Sequence, residues 1–431
     1  MSRIYPFSLS ALTGALILAS GQSLAGGLSL NEQSASGMGT AYAGRASSAL
    51  DASTLYGNPA GMSRLNRAQV SGGLAVLAPN VDIKDAQGDA PGTNQGNMVP
   101  TSTIPFGYYV TPIDDNWHFG IGAYAPFGGH ADYEDTFQGR YQGLETEVRV
   151  ITVQPTISYR FNDRISVGAG ITFNRIDGTL SNNFSNATIS GGTNLTDATL
   201  TSEGDDYGYG YNLGVMADVL DGTTVGLTYY SKVDYTLEGH TTLEDMDPAA
   251  AAFGLVNGRY DAQLDFTTPE HVAASVSHAL DERWTLHGGA VWTRWSRLQR
   301  IDVENEGAQG ALAVTSEEIR FRDTLAVSFG ASYQLDEQWI LRAGFALDES
   351  PATSQDRSVR VPYGHRKVLA IGAGWSPNPD LTLDLGYAYL WESDAAVEQE
   401  DSTGPAALRP GYSGTFSTDV HGLSAQLSYR F

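Results

Sequence analysis

The sequence predicts an all-β chain, a 14-stranded antiparallel transmembrane β-barrel. Three observations predict it. Apolar and polar side chains alternate with a period of two along most of the chain, as they must where one strand face meets lipid and the other a polar lumen. Short and long connections also alternate, and the chain ends on an aromatic residue at the close of such an alternating segment.

The N-terminus comes first. Arg3 is a positive start, "LSALTGALILA" (residues 9–19) is a short apolar core, and "SLA" (23–25) puts small residues at a cleavage site. That is an export signal, with cutting expected after Ala25. The apolar run is too short to span a bilayer as a helix. Next, "LYGNPAGMSRL" (55–65) reads as a turn and one helical turn. Pro59 pushes Asn58 out of the α region and can start a short helix at Ala60.

The strands follow. Ile151, Ile157, Tyr159 and Phe161 share one parity, as do Val167, Ala169, Ile171 and Phe173. So do Tyr207, Tyr209, Tyr211, Leu213 and Val215, with Gly208, Gly210 and Asn212 opposite. Trp339 to Leu347 and Leu381 to Trp391 repeat the pattern. In the last segment, Leu423, Ala425, Leu427, Tyr429 and Phe431 oppose Gly422, Ser424, Gln426, Ser428 and Arg430. Aromatics at the strand ends suit interfacial girdles, and a terminal aromatic resembles the assembly signal of bacterial outer-membrane barrels.

Six tight turns carry a loose repeat: "PIDDNW" (112–117), "FNDR" (161–164), "LDGT" (220–223), "LDERW" (280–284), "LDEQW" (335–339) and "PNPD" (377–380). Asp, Asn, Gly and Pro are the residues such turns require. Between them lie seven longer polar connections, near 80–100, 128–145, 178–206, 237–262, 302–317, 348–363 and 392–416. Thirteen connections make fourteen strands, the even number that a closed bacterial barrel takes. A soluble β-sandwich would bury the same apolar faces. The export signal, turn alternation and terminal Phe431 favour the barrel.

Composition agrees. Charged residues are only 17% of the 431, with 49 Gly and 22 Tyr. The net charge of −24 argues against a nucleic-acid partner, and without cysteine there are no disulfides or thiolate metal sites. Lys84, Lys232 and Lys367 are the only lysines.

Four stretches carry a family resemblance: "LSLNEQSASGMGTAYAGRAS" (28–47) with "NPAGM" (58–62); "YAPFGGHADYEDTF" (124–137); "LDFTTPEHVAASVSHALDERWTLHGGAVWTRWSRL" (264–298); and "FALDESPATSQDRSVRVPYGHRKVLAIGAGW" (345–375), with its D-x-S-P and R-S-x-x-x-P pattern. Together they resemble the FadL family of outer-membrane long-chain fatty acid and hydrocarbon transporters. The resemblance implies a monomeric barrel with an N-terminal hatch in its lumen. It also implies lateral exit of the substrate through a gap at an inward kink in the third strand. The chain then divides into a signal peptide (1–25), a hatch (26–66) and the barrel (67–431). The physics supports a plug, because fourteen strands enclose an aqueous hole unless something fills it. Residues 35–60 are largely Gly, Ala and Ser, with Asn58, Pro59 and Ala60 as the hatch motif.

The site residues expected are these. Pro126, Phe127, Gly128 and Gly129 mark the kink or lateral gate, since Pro removes a ladder donor and Gly permits unusual dihedrals. Phe253, Leu255 and Val256 follow a short helix capped by Asp247 and Pro248, and make a hydrophobic capture loop. Arg322, in a Phe-Arg-Asp that aligns with the family's Phe-Lys-Asp, is expected to face the lumen and hold a ligand headgroup. Arg175 is the second choice, pointing inward only if a bulge intervenes. No catalytic, metal or cofactor motif stands out. The expected partners are a long-chain fatty acid or other hydrophobic small molecule, with outer-membrane lipid and lipopolysaccharide around a barrel in the outer membrane of a Gram-negative bacterium. A general porin and an outer-membrane lipase or esterase are the competing classes.

Overall fold

A sheet whose outer face is apolar and whose inner face is polar removes its edges by closing on itself. The computed structural model describes residues 27–400 and 408–431; the expected signal peptide lies outside them. Fourteen strands form one antiparallel ring. They are β1 (Gln69–Gly88), β2 (Ser102–Pro112), β3 (Trp117–Asp132), β4 (Glu145–Arg160), β5 (Ile165–Ser185) and β6 (Asp197–Leu220). Then come β7 (Thr223–Tyr230, resuming at Val233–Glu244), β8 (Gly258–Thr268, resuming at His271–Ala279), β9 (Trp284–Thr293, resuming at Arg300–Asn305) and β10 (Val314–Glu318, resuming at Thr324–Gln334). The last four are β11 (Trp339–Asp348), β12 (Arg366–Asn378), β13 (Leu381–Glu392, resuming at Ala395–Gln399) and β14 (Tyr412–Arg430). Pairing of β1 with β14, from Gln69 opposite Arg430 to Gly88 opposite Tyr412, closes the ring.

The parity sets face outward as read. Tyr207, Tyr209, Tyr211 and Leu213 are exposed, and so are Leu385, Leu423, Leu427 and Phe431. Five of the six turns share one mechanism. Asp114, Asp281 and Asp336 each accept from the backbone N–H groups two and three residues on. Asn162 and Asn378 do the same.

Several long connections are shorter than the sequence indicates, because strands run on through them. Residues 178–185 and 197–206 belong to β5 and β6. At 24 residues, β6 is about twice the length needed to cross the hydrocarbon core. Its outer half projects beyond the lipid, where nothing requires an apolar outward face, and so the alternation fades there.

Residues 27–66 lie inside the ring and carry two short helices, α1 (Ala35–Met38) and α2 (Thr54–Gly57), and a 3-10 turn (Pro59–Arg64). Ser34 caps α1, its hydroxyl accepting from Gly37 N at 3.0 Å. Asn58 is extended (φ −158°, ψ 111°), as the following Pro demands, and fully buried. Glycines on the inner wall make room for this packing. A Cβ at Gly214 would strike Asn58 Oδ1, at Gly168 the Pro59 carbonyl carbon, and at Gly226 the Ala46 carbonyl. Much of the high glycine content is therefore a matter of close backbone approach.

Candidate functional site: a sealed break beside an apolar chamber

β3 sets the site. Its pairing with β2 runs from Pro112 opposite His118 to Gly107 opposite Ala123 and then stops. Beyond that, β2 pairs only with β1, as far as Ser102 opposite Leu77. Pairing of β3 with β4 shifts register between Tyr124 and Phe127, then continues to Asp132. The break at Pro126 is thus a seam between β2 and β3 and a bulge against β4. The bulge has a consequence that the alternation does not show. Phe127 shares sequence parity with the outward Trp117, Phe119 and Ile121, yet it turns into the lumen and is buried.

The hatch satisfies the backbone groups freed at the break. Leu30 N–H donates to Pro126 O at 2.9 Å, and Gly128 N–H donates to Leu28 O at 2.8 Å. The Gln33 side chain donates to Ala125 O. Residues 28–33 are therefore a segment laid across the inside of the seam, bridged to β3 at Ser29 opposite Phe127. Unpaired backbone groups at membrane depth are costly, which explains the arrangement.

An apolar chamber fills the outer half of the lumen. The Trp295 ring meets Phe127 (6.2 Å) and Phe321 (5.9 Å) edge to face, and Tyr133 stacks on Phe137 at 4.0 Å. Leu28 of the hatch belongs to the same cluster, with Ile176, Leu237 and Phe266 from the wall. A small cavity of about 50 Å³ lies between strands there, lined by Val148, Ile176, Leu237, Leu264, Phe266 and Ile301.

The connection between β11 and β12 covers the chamber, with Val359 and Tyr363 buried in its cluster. The Asp-x-Ser-Pro and Arg-Ser motifs build that cover. Ser350 Oγ donates to Tyr363 O at 2.8 Å, Arg357 donates to the Tyr363 and Ala396 carbonyls, and Arg360 pairs with Glu317 at 2.7 Å. Val359, between the two arginines, and Val361, just after them, are the sequence signal for such an inward fold, and sequence reasoning did not use it.

The expected headgroup residues do not face this chamber. The β10 ladder is interrupted between Glu318 and Thr324, and Arg320 has φ +46°. That resets the parity. Phe321 turns inward and is buried, while Arg322 is exposed and its side chain donates to Ser350 O at 3.4 Å. Arg175 also stays outside. β5 pairs with β6 without a bulge from Ile165 to Ser185, and Arg175 pairs with Asp177 at 2.9 Å and Asp205 at 3.6 Å.

The capture-loop residues divide. Asp247 caps a 3-10 turn (Pro248–Phe253) by accepting from Ala249 N at 3.0 Å. Leu255 is buried among Leu243, Met246, Ala250 and Leu312, so it holds the outer loops together. Val256 is exposed and Phe253 half-buried. The three do not form one exposed patch.

Inside the hatch, Arg45 donates to Asn31 Oδ1 at 2.7 Å and lies over the Tyr42 and Tyr56 rings. Burial raises the pKa of the nearby Glu32 above 4.5, opposed by Arg366 and Arg45.

A closed barrel that spans by strands, carries a folded plug and encloses an apolar chamber beside a wall seam is an outer-membrane transport channel. Comparison with known proteins agrees. A family model described as "Outer membrane protein transport protein (OMPP1/FadL/TodX)" matches residues 16–431, so the chain belongs to the OMPP1/FadL/TodX family of outer-membrane transport proteins. That family is one of transporters, not enzymes. The chain is similar to the long-chain fatty acid transport protein of Escherichia coli O6:H1, 28% identical over 416 residues covering 90% of this chain and 92% of that protein. It is also similar to outer membrane protein P1 of Haemophilus influenzae, 29% identical with 89% and 90% covered. Among solved structures, a Pseudomonas aeruginosa FadL homologue shares the fold with a TM-score of 0.83 at 24% identity, covering 94% of this chain and all of that one. The Ralstonia pickettii toluene transporter TbuX follows with a TM-score of 0.67 at 19% identity, with 92% and 97% covered.

Proposed function

We propose that the protein takes up long-chain fatty acids and similar hydrophobic compounds and releases them laterally into the outer membrane through the β2–β3 seam. The observation that carries this reading is the seam itself, bordered by the chamber residue Phe127 and closed only by hatch residues 28–33. Curated relatives named for long-chain fatty acid transport support the substrate class. The apolar lining of the outer lumen, with Phe127, Trp295, Phe321, Leu237 and Phe266, supports it too. Capture begins at the outer loops, where Phe253 and Val256 offer apolar surface. The ligand enters the chamber, the hatch segment leaves the seam, and the ligand moves past Pro126 and Gly128 into lipid. One chain closes the barrel, and the working unit in this reading is a monomer set in outer-membrane lipid and lipopolysaccharide.

A lock tests the route. Ser29 lies opposite Phe127 in an antiparallel bridge, and the chain has no cysteine of its own. Ser29→Cys with Phe127→Cys should block uptake of labelled oleate when oxidised and restore it on reduction. Full uptake in the oxidised form would argue for passage straight through the barrel.

A further inference from the structure

We infer that Arg45, in the hatch, is a binding site for the carboxylate of a fatty acid in transit, reached after the apolar chamber and beside the seam. The inference rests on the fatty acid reading above and names a residue for it.

Arg45 differs from four other arginines of the lumen. Arg64, Arg342, Arg360 and Arg366 each meet a carboxylate oxygen within 3 Å: Asp218 (2.9 Å), Asp384 (2.7 Å), Glu317 (2.7 Å) and Glu392 (2.8 Å). Arg45 has no such ion pair among the described residues. Its hydrogen bond is to a neutral amide, Asn31 Oδ1, at 2.7 Å. Its charge lies over the faces of Tyr42 (5.0 Å) and Tyr56 (5.7 Å). A guanidinium has five N–H donors, and cation–π contact leaves them unused.

The open space is where those donors are. Three internal cavities share Arg45 in their walls. One, of about 50 Å³, lies against the β3 break with Ser29, Pro126 and Phe127. A second, of about 70 Å³, lies against Val327 and Val368. The third, of about 50 Å³, lies within the hatch with Ser48 and Ser53. Phe127 joins the first cavity to the chamber, because it belongs to the lining of both.

Two carboxylates also line this space, Glu32 in the second cavity and Asp348 in the first and second. Arg366 answers them. It stands opposite Asp348 in the β11–β12 register and exerts the largest charge effect on Glu32. A fatty acid that leaves water needs a cation or donors for its headgroup, and planar bidentate binding is what arginine provides. Arg45 provides it at the seam. Because it is carried by the hatch, the charge moves with the element that closes the exit.

The test uses the full-length chain in cells lacking other fatty acid transporters, with oleate and hexadecane as probes. Arg45→Gln should lower oleate uptake at least tenfold and leave hexadecane uptake unchanged. Arg45→Lys should recover part of the oleate uptake. Purified wild-type protein loaded with carboxyl-¹³C oleate should show a bound ionised carboxylate whose resonance shifts in Arg45→Lys; no shift would overturn the site, and this measurement decides if Arg45→Gln fails to assemble. Unchanged oleate uptake in Arg45→Gln overturns the site. Equal losses for both probes, with raised ion conductance, also overturn it and make Arg45 a brace for the hatch. A wild-type protein that carries hexadecane but no oleate overturns the fatty acid reading itself, and this site with it.

Discussion

Replacing Asn58 with alanine should loosen the hatch while leaving the barrel closed. The Asn58 side chain makes three hydrogen bonds: Nδ2 donates to Ala46 O at 2.7 Å and Val215 O at 2.9 Å, and Oδ1 accepts from Ala60 N at 3.0 Å. The first ties two hatch segments together, the second ties the hatch to β6, and the third starts the 3-10 turn. At roughly 1 kcal/mol net each, Asn58→Ala should cost about 3 kcal/mol of hatch docking. Since 1.4 kcal/mol is tenfold, the undocked population should rise roughly a hundredfold. The strands are untouched, because ring closure depends on the β1–β14 ladder and not on Asn58. Ion conductance in planar bilayers and protease cleavage within residues 27–66 would both report the change. Ser53→Ala is the control, because Ser53 precedes α2 without making a side-chain cap bond. Wild-type conductance and protease resistance in Asn58→Ala would refute the view that this residue clamps the plug.

Gly168→Val should also displace the hatch, since even a Cβ there meets the Pro59 backbone and overpacking costs about 1–3 kcal/mol; conductance again measures it. Arg322→Ala and Arg175→Ala should leave oleate affinity within twofold of wild type in a binding assay, because both side chains lie outside the chamber. Glu32 gives a pH dependence. Its docked pKa is raised above the ordinary 4.5 by burial, so docking is strongest below pH 4.5 and weakens as pH rises through the docked value. Conductance should therefore increase from pH 4.5 toward neutrality, and Glu32→Gln should flatten the curve.

The lipid-facing wall was legible in the sequence because lipid imposes one rule on it. Every outward residue at membrane depth must be apolar, so Tyr207 to Val215 and Leu423 to Phe431 announce their strands without reference to partners. The Asx turns and the Asn58-Pro59 turn were legible too, since each rests on hydrogen bonds or torsion limits within a few residues. The site depended on what adds one residue to a ladder or removes one. A bulge at Pro126 turns Phe127 into the lumen, and a five-residue interruption in β10 turns Phe321 in and Arg322 out. A one-residue change of register moves every later side chain to the other face, and local sequence does not record it. Leu255 in the loop core, the inward glycines beneath the hatch and the place of Arg45 between three cavities depend on segments far apart in the chain. Only their packing together decided them.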